Sequence, residues 1–455
     1  MVKVYWPATL TRQGIGEIPA AFALILVLAL ALPSAGFAQT TKGAQRSGES
    51  DAEPVIQQAE PIPDDPKDGE PNQDAPAPVD PAETQKIAPV EVFKDPLAEE
   101  LLDLKKFNPI RNKAATPADI EKLKMMSQGA GATVDQDAMK RVIAGMIAEM
   151  TETKNLQAMI DPPPKTSTST VRAVERATQT LMEPIFVARA NKNNAFLATY
   201  AKNLLPALTP LLKHHLIPRI QAMIILAQTG SADVYKTFVD EIKNENQTYW
   251  VKLWALRGLT NIESPKINPT PRLSTSQEVD AALTISKLLE KDTELPWPVQ
   301  YRALEALAAL RQGFVPSSPK TADMATTAMR FLADPKGRPE VRAEAARALG
   351  YMQISSAVTD YNFPLVSHAI GRLAASVGDL VVGSYSDTGT PINASRAEAY
   401  TALLAGPIYQ SFEGQQDVRD SGLLRNSANT SRTKSQEVHD QIKPLTKAAV
   451  ELVKA

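Results

Sequence analysis

The sequence predicts an all-α protein made of stacked helical hairpins, and three observations point to that fold class. Aromatic residues make up only 5% of the 455 residues, while the strong helix formers Ala and Leu are abundant, which favours helices over a β-sandwich. A short helical segment with a small-residue face recurs from residue 218 onward. Inserts rich in Pro, Ser, Asn and Gly separate the helical segments, as expected of loops.

The clearest copy of the recurring segment spans residues 339–352. Pro339 suits the first turn of a helix, where its missing N–H needs no partner. Val341, Ala345 and Leu349 then follow at intervals of four residues, on one face of a helix. Four other segments align with residues 341–350, and all five have Ala at the fifth position and Leu at the ninth. The alanines are Ala222, Ala255, Ala303, Ala345 and Ala399.

The pattern Val-Arg-x-x-Ala-x-x-Ala-Leu-Gly at residues 341–350 resembles the second helix of a HEAT repeat. The resemblance covers about residues 194–410, roughly half of the chain. It implies a right-handed α-solenoid of about five HEAT-like helical hairpins, with an interaction surface lined by the second helices. The alanines are separated by 33, 48, 42 and 54 residues, so an irregular domain of Ala- and Leu-rich helices is the alternative.

Five helix pairs and a closing helix are predicted for the repeat domain, residues 193–455. The pairs span residues 195–213 with 218–229, 232–243 with 248–262, 276–290 with 298–311, 321–332 with 339–353, and 365–380 with 395–408. Capping boxes are predicted at Ser274 with Gln277 and at Ser395 with Glu398. Residues 438–455 are predicted to form the closing helix.

Residues 101–192 are predicted to form an N-terminal helical cap. Thr116 suits an N-cap, Pro117 the first helical position and Asp119 the first turn, so a helix is expected to begin there. Pro184 is expected to kink or break the helix predicted over residues 169–189. The terminal repeats of a solenoid need a partly polar outer face, which is the role expected for this cap.

The first 38 residues have the features of an export signal. Positive charge at Lys3 and Arg12 precedes an apolar run of 13 residues, Ala20–Leu32, which is shorter than the roughly 20 residues that span a bilayer. Small residues before Gln39 predict cleavage after Ala38. The mature protein is therefore expected to be secreted or periplasmic, with no integral membrane segment, and an uncleaved membrane anchor is the alternative.

Residues 39–100 are predicted to form a disordered, acidic, Pro-rich linker. This segment contains 10 prolines, 15 acidic and five basic residues, and too few large apolar residues to offset the entropy of ordering. The whole chain carries −2 and the first 38 residues +1, so the linker at −10 leaves +7 on the body from Leu101 onward. The linker is either a solubilising spacer or an acidic tail that competes for the basic face of the body.

The composition excludes several classes of site. The chain has no cysteine and only four histidines, which excludes disulfides and thiolate metal sites and leaves little for other metals. Segments 387–389, 378–384 and 317–320 match catalytic or phosphate-binding motifs only in part. The adjacent His214 and His215 point about 100° apart on a helix and rarely share one ion. We therefore predict no catalytic residue, no metal and no cofactor.

The second residue of the aligned helices is cationic in four of the five copies. These residues are Arg219, Lys252, Arg342 and Arg396. Equivalent positions in a solenoid lie in a row along one surface, so the four side chains are candidates for binding an acidic partner. The alternative is that they pair with acidic residues of neighbouring repeats.

An aromatic cluster is the second candidate binding feature. Trp250 and Trp254 are one turn apart on one helix, and Trp297 and Tyr301 begin the next second helix. If the cluster is exposed, Trp250 and Trp297 are candidate hot-spot residues for a protein partner. If it is buried, it belongs to the core between repeats.

These features favour an exported, non-catalytic scaffold that binds a still unidentified protein partner on the surface lined by its second helices. The alternatives are a helical-repeat enzyme acting on a glycan or small molecule, which needs two carboxylates on facing helices, and a self-assembling structural protein of the cell envelope. No nucleic-acid partner is expected, because a charge of +7 over the long body is small for binding a polyanion. The oligomeric state is left open.

Overall fold

The computed structural model describes residue 95 and residues 97–129, 134–161, 173–267, 272–317, 320–389, 391–416, 418 and 420–454. Within these residues the protein is all-α and contains no β-strand, which confirms the predicted class. The predicted signal peptide and residues 39–94 of the predicted linker lie outside the described residues. The end of that linker differs from expectation, because Asp95 is buried and residues 98–101 form a helical turn.

The described residues of the N-terminal part form five helices and one 3₁₀ turn. They are α1 (Ala98–Leu101), the 3₁₀ turn Leu104–Lys106, α2 (Pro117–Gln128), α3 (Gln136–Thr151), α4 (Thr153–Ile160) and α5 (Ala173–Ala190). The predicted start at Thr116 is confirmed, since its side chain accepts from the Asp119 amide in a capping box. Pro184 lies inside α5 without ending it, so the helix is not broken there. Of the two effects expected of this proline, a break and a kink, the break is absent.

The remaining helices follow the predicted pairs closely. They are α6 (Asn194–Leu208), α7 (Leu216–Thr229), α8 (Tyr235–Lys243), α9 (Tyr249–Glu263), α10 (Thr275–Lys291), α11 (Trp297–Leu310), α12 (Asp323–Ala333), α13 (Pro339–Tyr351), α14 (Phe363–Val382), α15 (Ala394–Leu403), α16 (Tyr409–Glu413) and α17 (Arg432–Lys454). The capping box at Ser274 is confirmed. Clear caps and Pro at the first turn define these starts locally, which is why the sequence located them.

The helices pack in two rows, and the hairpins α8–α9, α10–α11 and α12–α13 each contribute one helix to each row. In one row α5, α7, α9, α11 and α13 each contact the next, and in the other α8, α10, α12 and α14 do the same. Each helix of the second row also contacts its hairpin partner, as α8 does α9. The aligned alanines and leucines of α7, α9, α11 and α13 are at most 1% exposed, so the shared positions form the contact between the rows.

The fifth aligned segment does not follow this pattern. Asn393, not Ser395, caps α15, because its side-chain oxygen accepts from the Arg396 amide at 3.0 Å. The predicted capping box at Ser395 is therefore wrong. Ala399, the supposed core alanine, is exposed, whereas Ala397 is fully buried. The long closing helix α17 packs on α14 and α15 instead, so the repeated pattern ends with α13.

The row of second helices forms the centre of the molecule. Every residue of α7 is buried, and none in α9, α11 or α13 is exposed. The solvent-accessible surface of these helices is therefore limited to half-buried side chains. This restricts the surface on which partner binding was predicted.

Helix α14 is the one described helix with the length and apolar composition to cross a membrane. It contacts α12, α13, α15 and α17, and eight of its apolar or small side chains, such as Ile370 and Leu373, are buried in those contacts. This packing accounts for the buried apolar face of α14, while His368, Arg372 and Asp379 lie on its exposed side.

Candidate functional site

Two of the four predicted cationic residues anchor the loops that precede their own helices. Arg219 on α7 donates through Nε to the His214 carbonyl at 3.0 Å and through Nη1 to Gln247 Oε1 at 3.1 Å. Arg342 on α13 donates through Nε to the Leu332 carbonyl at 3.2 Å. Because these donors are occupied within the molecule, their first role is to fix the helix pairs.

The other two predicted cationic residues lie in different surroundings. Lys252 on α9 is buried, and burial lowers its pKa against the opposing effect of Asp292 and Asp95. Arg396 on α15 is exposed and donates through Nε to the Tyr400 hydroxyl at 3.0 Å. The four cations therefore do not form one continuous surface.

The aromatic cluster is mostly part of the core. Trp254 is buried, while Trp250 and Trp297 are half-buried at its edge. The Arg338 guanidinium lies 4.8 Å from the centre of the Trp297 ring, in cation–π geometry. Trp250 and Trp297 thus contribute edges of rings to the surface, not a broad aromatic patch.

A cluster of charged side chains between α9, α11 and α13 was missed by the sequence analysis. We call Arg257, Arg302, Glu305, Glu344 and Arg347 the arginine–glutamate cluster. Its signal was present at two other positions of the aligned helices. The seventh residue alternates in sign along the row, from Arg257 to Glu305 to Arg347, and the fourth is Arg302 in α11 and Glu344 in α13.

The carboxylates of the cluster lie beneath its guanidinium groups. Glu305 accepts through Oε1 from Arg257 and through Oε2 from Arg302, each at 2.7 Å. Glu344 accepts from Arg347 in the same helix. The Glu344 side chain is 1% exposed and that of Glu305 10%, whereas the three arginine side chains are 19–22% exposed. Solvent therefore reaches the cations and not the anions.

The two carboxylates titrate in opposite directions. Burial acts to raise the pKa of Glu305, but the charges of Arg302 and Arg257 outweigh it and lower the pKa to about 2. At Glu344 burial dominates over the attraction of Arg347, and the negative charge of Glu305 adds to it, so the pKa rises to about 7. The charge on Glu344 also raises the pKa of the neighbouring Tyr301, and burial adds to that effect.

The cluster carries more positive than negative charge. Three guanidinium groups face two carboxylates, and the raised pKa of Glu344 reduces its negative charge near neutral pH. Glu344 Oε2 and Arg347 Nε are both buried without a hydrogen-bond partner among the described residues. Buried charge in excess costs free energy unless a counter-ion is supplied. The arrangement is therefore suited to receiving an anionic group from outside.

Two cavities lie outside this cluster. One, of about 540 Å³, is an apolar groove between α3 and α6, lined by Ile143, Ile147 and Ala207 among others. The second, of about 590 Å³, lies between α8, α9 and α10 and contains four lysines, including Lys252. No cluster of metal-ligating side chains occurs in the part of the chain that the structure covers.

Comparison with protein-family models, with curated proteins and with solved structures finds no match for this chain. The function therefore has to be inferred from the arrangement of its own residues. Among the described residues, charged side chains are concentrated in the arginine–glutamate cluster and in the cavity of about 590 Å³, which is lined by four lysines and four acidic residues.

Proposed function

We propose that this chain is a HEAT-like α-solenoid that binds a protein partner without catalysing a reaction. Two rows of sequentially packed helices support the solenoid, because each hairpin contacts mainly its neighbours in such folds. The resemblance of residues 341–350 to a HEAT second helix agrees with it. The export signal predicted over residues 1–38 supports a role in the cell envelope or outside the cell.

The observation that carries the proposal is the excess of guanidinium groups in the groove between α9, α11 and α13. Arginine binds carboxylates through a planar fork of donors, which makes it the preferred cation at protein interfaces. Arg257, Arg302 and Arg347 are held in place by the carboxylates beneath them, so little side-chain entropy is lost on binding. The groove therefore fits an acidic side chain from the partner.

Affinity capture from a native envelope extract tests this role. The bait is the full mature chain, compared with Arg347→Gln and with Arg372→Gln, which removes the same charge from an exposed position on α14. The expected result is one stoichiometric partner that is kept by Arg372→Gln and lost by Arg347→Gln, with both variants folded by circular dichroism. A partner that binds both variants equally, or no partner at all, contradicts the proposed groove.

A hydrolase is the second candidate, and one observation favours it. Glu305 and Glu344 lie on neighbouring helices with pKa values of about 2 and about 7, the separation expected of a base and an acid. Against it, both oxygens of Glu305 are bound by arginines and Glu344 is enclosed. Hydrolysis of an envelope glycan that is abolished by Glu344→Gln would replace the binding role with this one.

A further inference from the structure

A segment near the N-terminus crosses the ends of two second helices. We call Asp95 with residues 97–112 the strap. It runs past the N-termini of α9 and α7 and reaches α3, where the Ile110 amide donates to Thr151 Oγ1 at 3.0 Å. Asp95 and residues 97–100 of the strap belong to the segment predicted as an acidic linker, so its contacts show where the end of that segment meets the body.

Asp95 caps helix α9 from a distance of 154 residues in sequence. Its Oδ2 accepts from the Tyr249 amide at 2.7 Å, while Oδ1 accepts from the Leu97 amide at 3.1 Å. Tyr249 is the first residue of α9, where unpaired N–H groups and the helix dipole attract an anion. The carboxylate is 9% exposed. The body thus already binds one carboxylate at this point.

The histidine pair holds the middle of the strap. His215 Nε2 lies 3.2 Å from the Leu102 carbonyl, and its Nδ1 accepts from the Ile217 amide at 3.2 Å. Because a carbonyl only accepts, Nε2 must carry the proton and the ring is neutral. His214 Nε2 contacts the Asn108 carbonyl at 2.9 Å, and Phe107 packs against both rings. The pair therefore clamps the backbone of the strap.

Lys252 provides an independent sign of a binding site next to Asp95. Its side chain is 6% exposed and lines the cavity of about 590 Å³, yet it forms no hydrogen bond or ion pair within the described segments. The other lysines at this cavity differ, since Lys243 pairs with Asp280 and Lys291 with Glu245. The charges of Asp292, Asp95 and Glu245 oppose the lowering of the Lys252 pKa by burial, but none of these carboxylates pairs with the ammonium directly within the described residues.

Tyr249 and Lys252 are one helical turn apart, so one carboxylate can reach both the amide and the ammonium. Asp95 accepts a hydrogen bond from the amide, while its charge acts on the ammonium without a direct ion pair. The strap is also weakly held, because α1 contributes no buried residue and its apolar side chains are only partly covered. Segments with few buried contacts open at low cost. The strap is therefore an incomplete occupant of the site.

We propose that the cavity at the N-terminus of α9 is a receptor for an acidic peptide segment, and that Asp95 of the strap occupies it in cis. A carboxylate of a partner protein takes the place of Asp95 on the Tyr249 amide and pairs with Lys252. The site is separate from the arginine–glutamate cluster and does not depend on it. The strap then sets a threshold, because an incoming segment must displace an intramolecular competitor.

A synthetic peptide with the sequence of residues 93–104 is the probe, labelled for fluorescence anisotropy at low ionic strength. The full chain is compared with Asp95→Ala, which vacates the site, and with the double variant Asp95→Ala/Lys252→Met. We expect Asp95→Ala to bind the peptide at least tenfold more tightly than the unchanged chain, and Lys252→Met to abolish that gain. Lys154→Met, at an exposed position of α4, is the matched control.

Equal affinity of the unchanged chain and Asp95→Ala would overturn the proposal, as would tight binding that survives Lys252→Met. If Asp95→Ala does not fold, Asp95→Asn keeps an acceptor for the Tyr249 amide and removes the charge, and it should show a smaller gain. A peptide carrying Asn in place of its Asp95 equivalent should not bind. Arg347→Gln should leave peptide binding unchanged, which separates this site from the groove.

Discussion

Replacing Glu305 tests the arginine–glutamate cluster most directly. The change Glu305→Gln keeps the shape of the side chain and removes its charge. Arg257 and Arg302 each donate to this carboxylate at 2.7 Å, so the variant leaves two half-buried guanidinium groups without their anion. Removing one partner of a buried ion pair typically costs about 3–5 kcal/mol.

The pKa of Glu305 points in the same direction. It is lowered to about 2, because Arg302 and Arg257 outweigh the effect of burial, and a lowered pKa favours the ionised, folded form. The side chains of Arg257 and Arg302 are 19% and 20% exposed, so solvent screens part of the attraction. We therefore expect the lower figure, a loss of about 3 kcal/mol at pH 7.

Chemical denaturation followed by circular dichroism measures this loss, with Glu294→Gln at an exposed loop position as the control. A carboxyl group with a lowered pKa stabilises the fold above its unfolded-state value, and this stabilisation is lost as the pH falls towards 2. The deficit of Glu305→Gln should thus be complete at pH 7 and shrink below pH 4.5. A deficit under about 1 kcal/mol at pH 7, or one that persists unchanged at pH 3, would refute the role of Glu305 as counter-ion.

Three further outcomes are expected. Glu344→Gln should stabilise the protein above pH 7 by about 1–3 kcal/mol. The reason is that the pKa of the Glu344 carboxyl is raised to about 7, so the unchanged protein loses stability as the pH rises from 4.5 through 7. Denaturation at pH 5 and pH 8 compares the variant with the unchanged protein, and equal curves at both pH values would contradict the raised pKa. His215→Ala should speed tryptic cleavage in the strap at least tenfold while the rest of the chain stays resistant to trypsin, since two hydrogen bonds to backbone groups are lost. Cleavage at the unchanged rate would show that His215 is not needed to hold the strap. Gly350→Ala should lower the melting temperature by several degrees, because its Cβ would lie 2.2 Å from the backbone oxygen of Ser411; an unshifted transition would contradict this close approach.

Local signals explain which elements were predictable. Pro339, Thr116 and Ser274 fix helix starts through contacts within four residues, and such contacts can be read from a sequence. The same kind of signal failed at Ser395, where Asn393 two residues earlier is the cap that the chain uses. Asn393 and Ser395 can both cap a helix, and only the packing of the whole helix decides between them.

The candidate sites depend on contacts that no local pattern contains. Arg257 and Glu305 are 48 residues apart, and Asp95 and Tyr249 are 154 residues apart. The alternation of charge at the seventh position of the aligned helices is visible in the sequence, but its meaning requires that α9, α11 and α13 be neighbours. The predicted cations at the second position are equally visible in the sequence, but the structure gives them different surroundings, with Arg219 and Arg342 bound to backbone carbonyls and Arg396 to the Tyr400 hydroxyl.

The sequence by itself determined that the chain is helical, where most of its helices begin, and which aligned alanines and leucines of α7, α9, α11 and α13 are buried, because these follow from periodicity and capping within one or two turns. Only the tertiary structure decided which charges meet. It placed the second helices at the centre, buried Glu305 and Glu344 beneath three arginines, and laid Asp95 across α9 beside the unpaired Lys252. Attraction between charges depends on their separation in space and on burial, and both are set by packing.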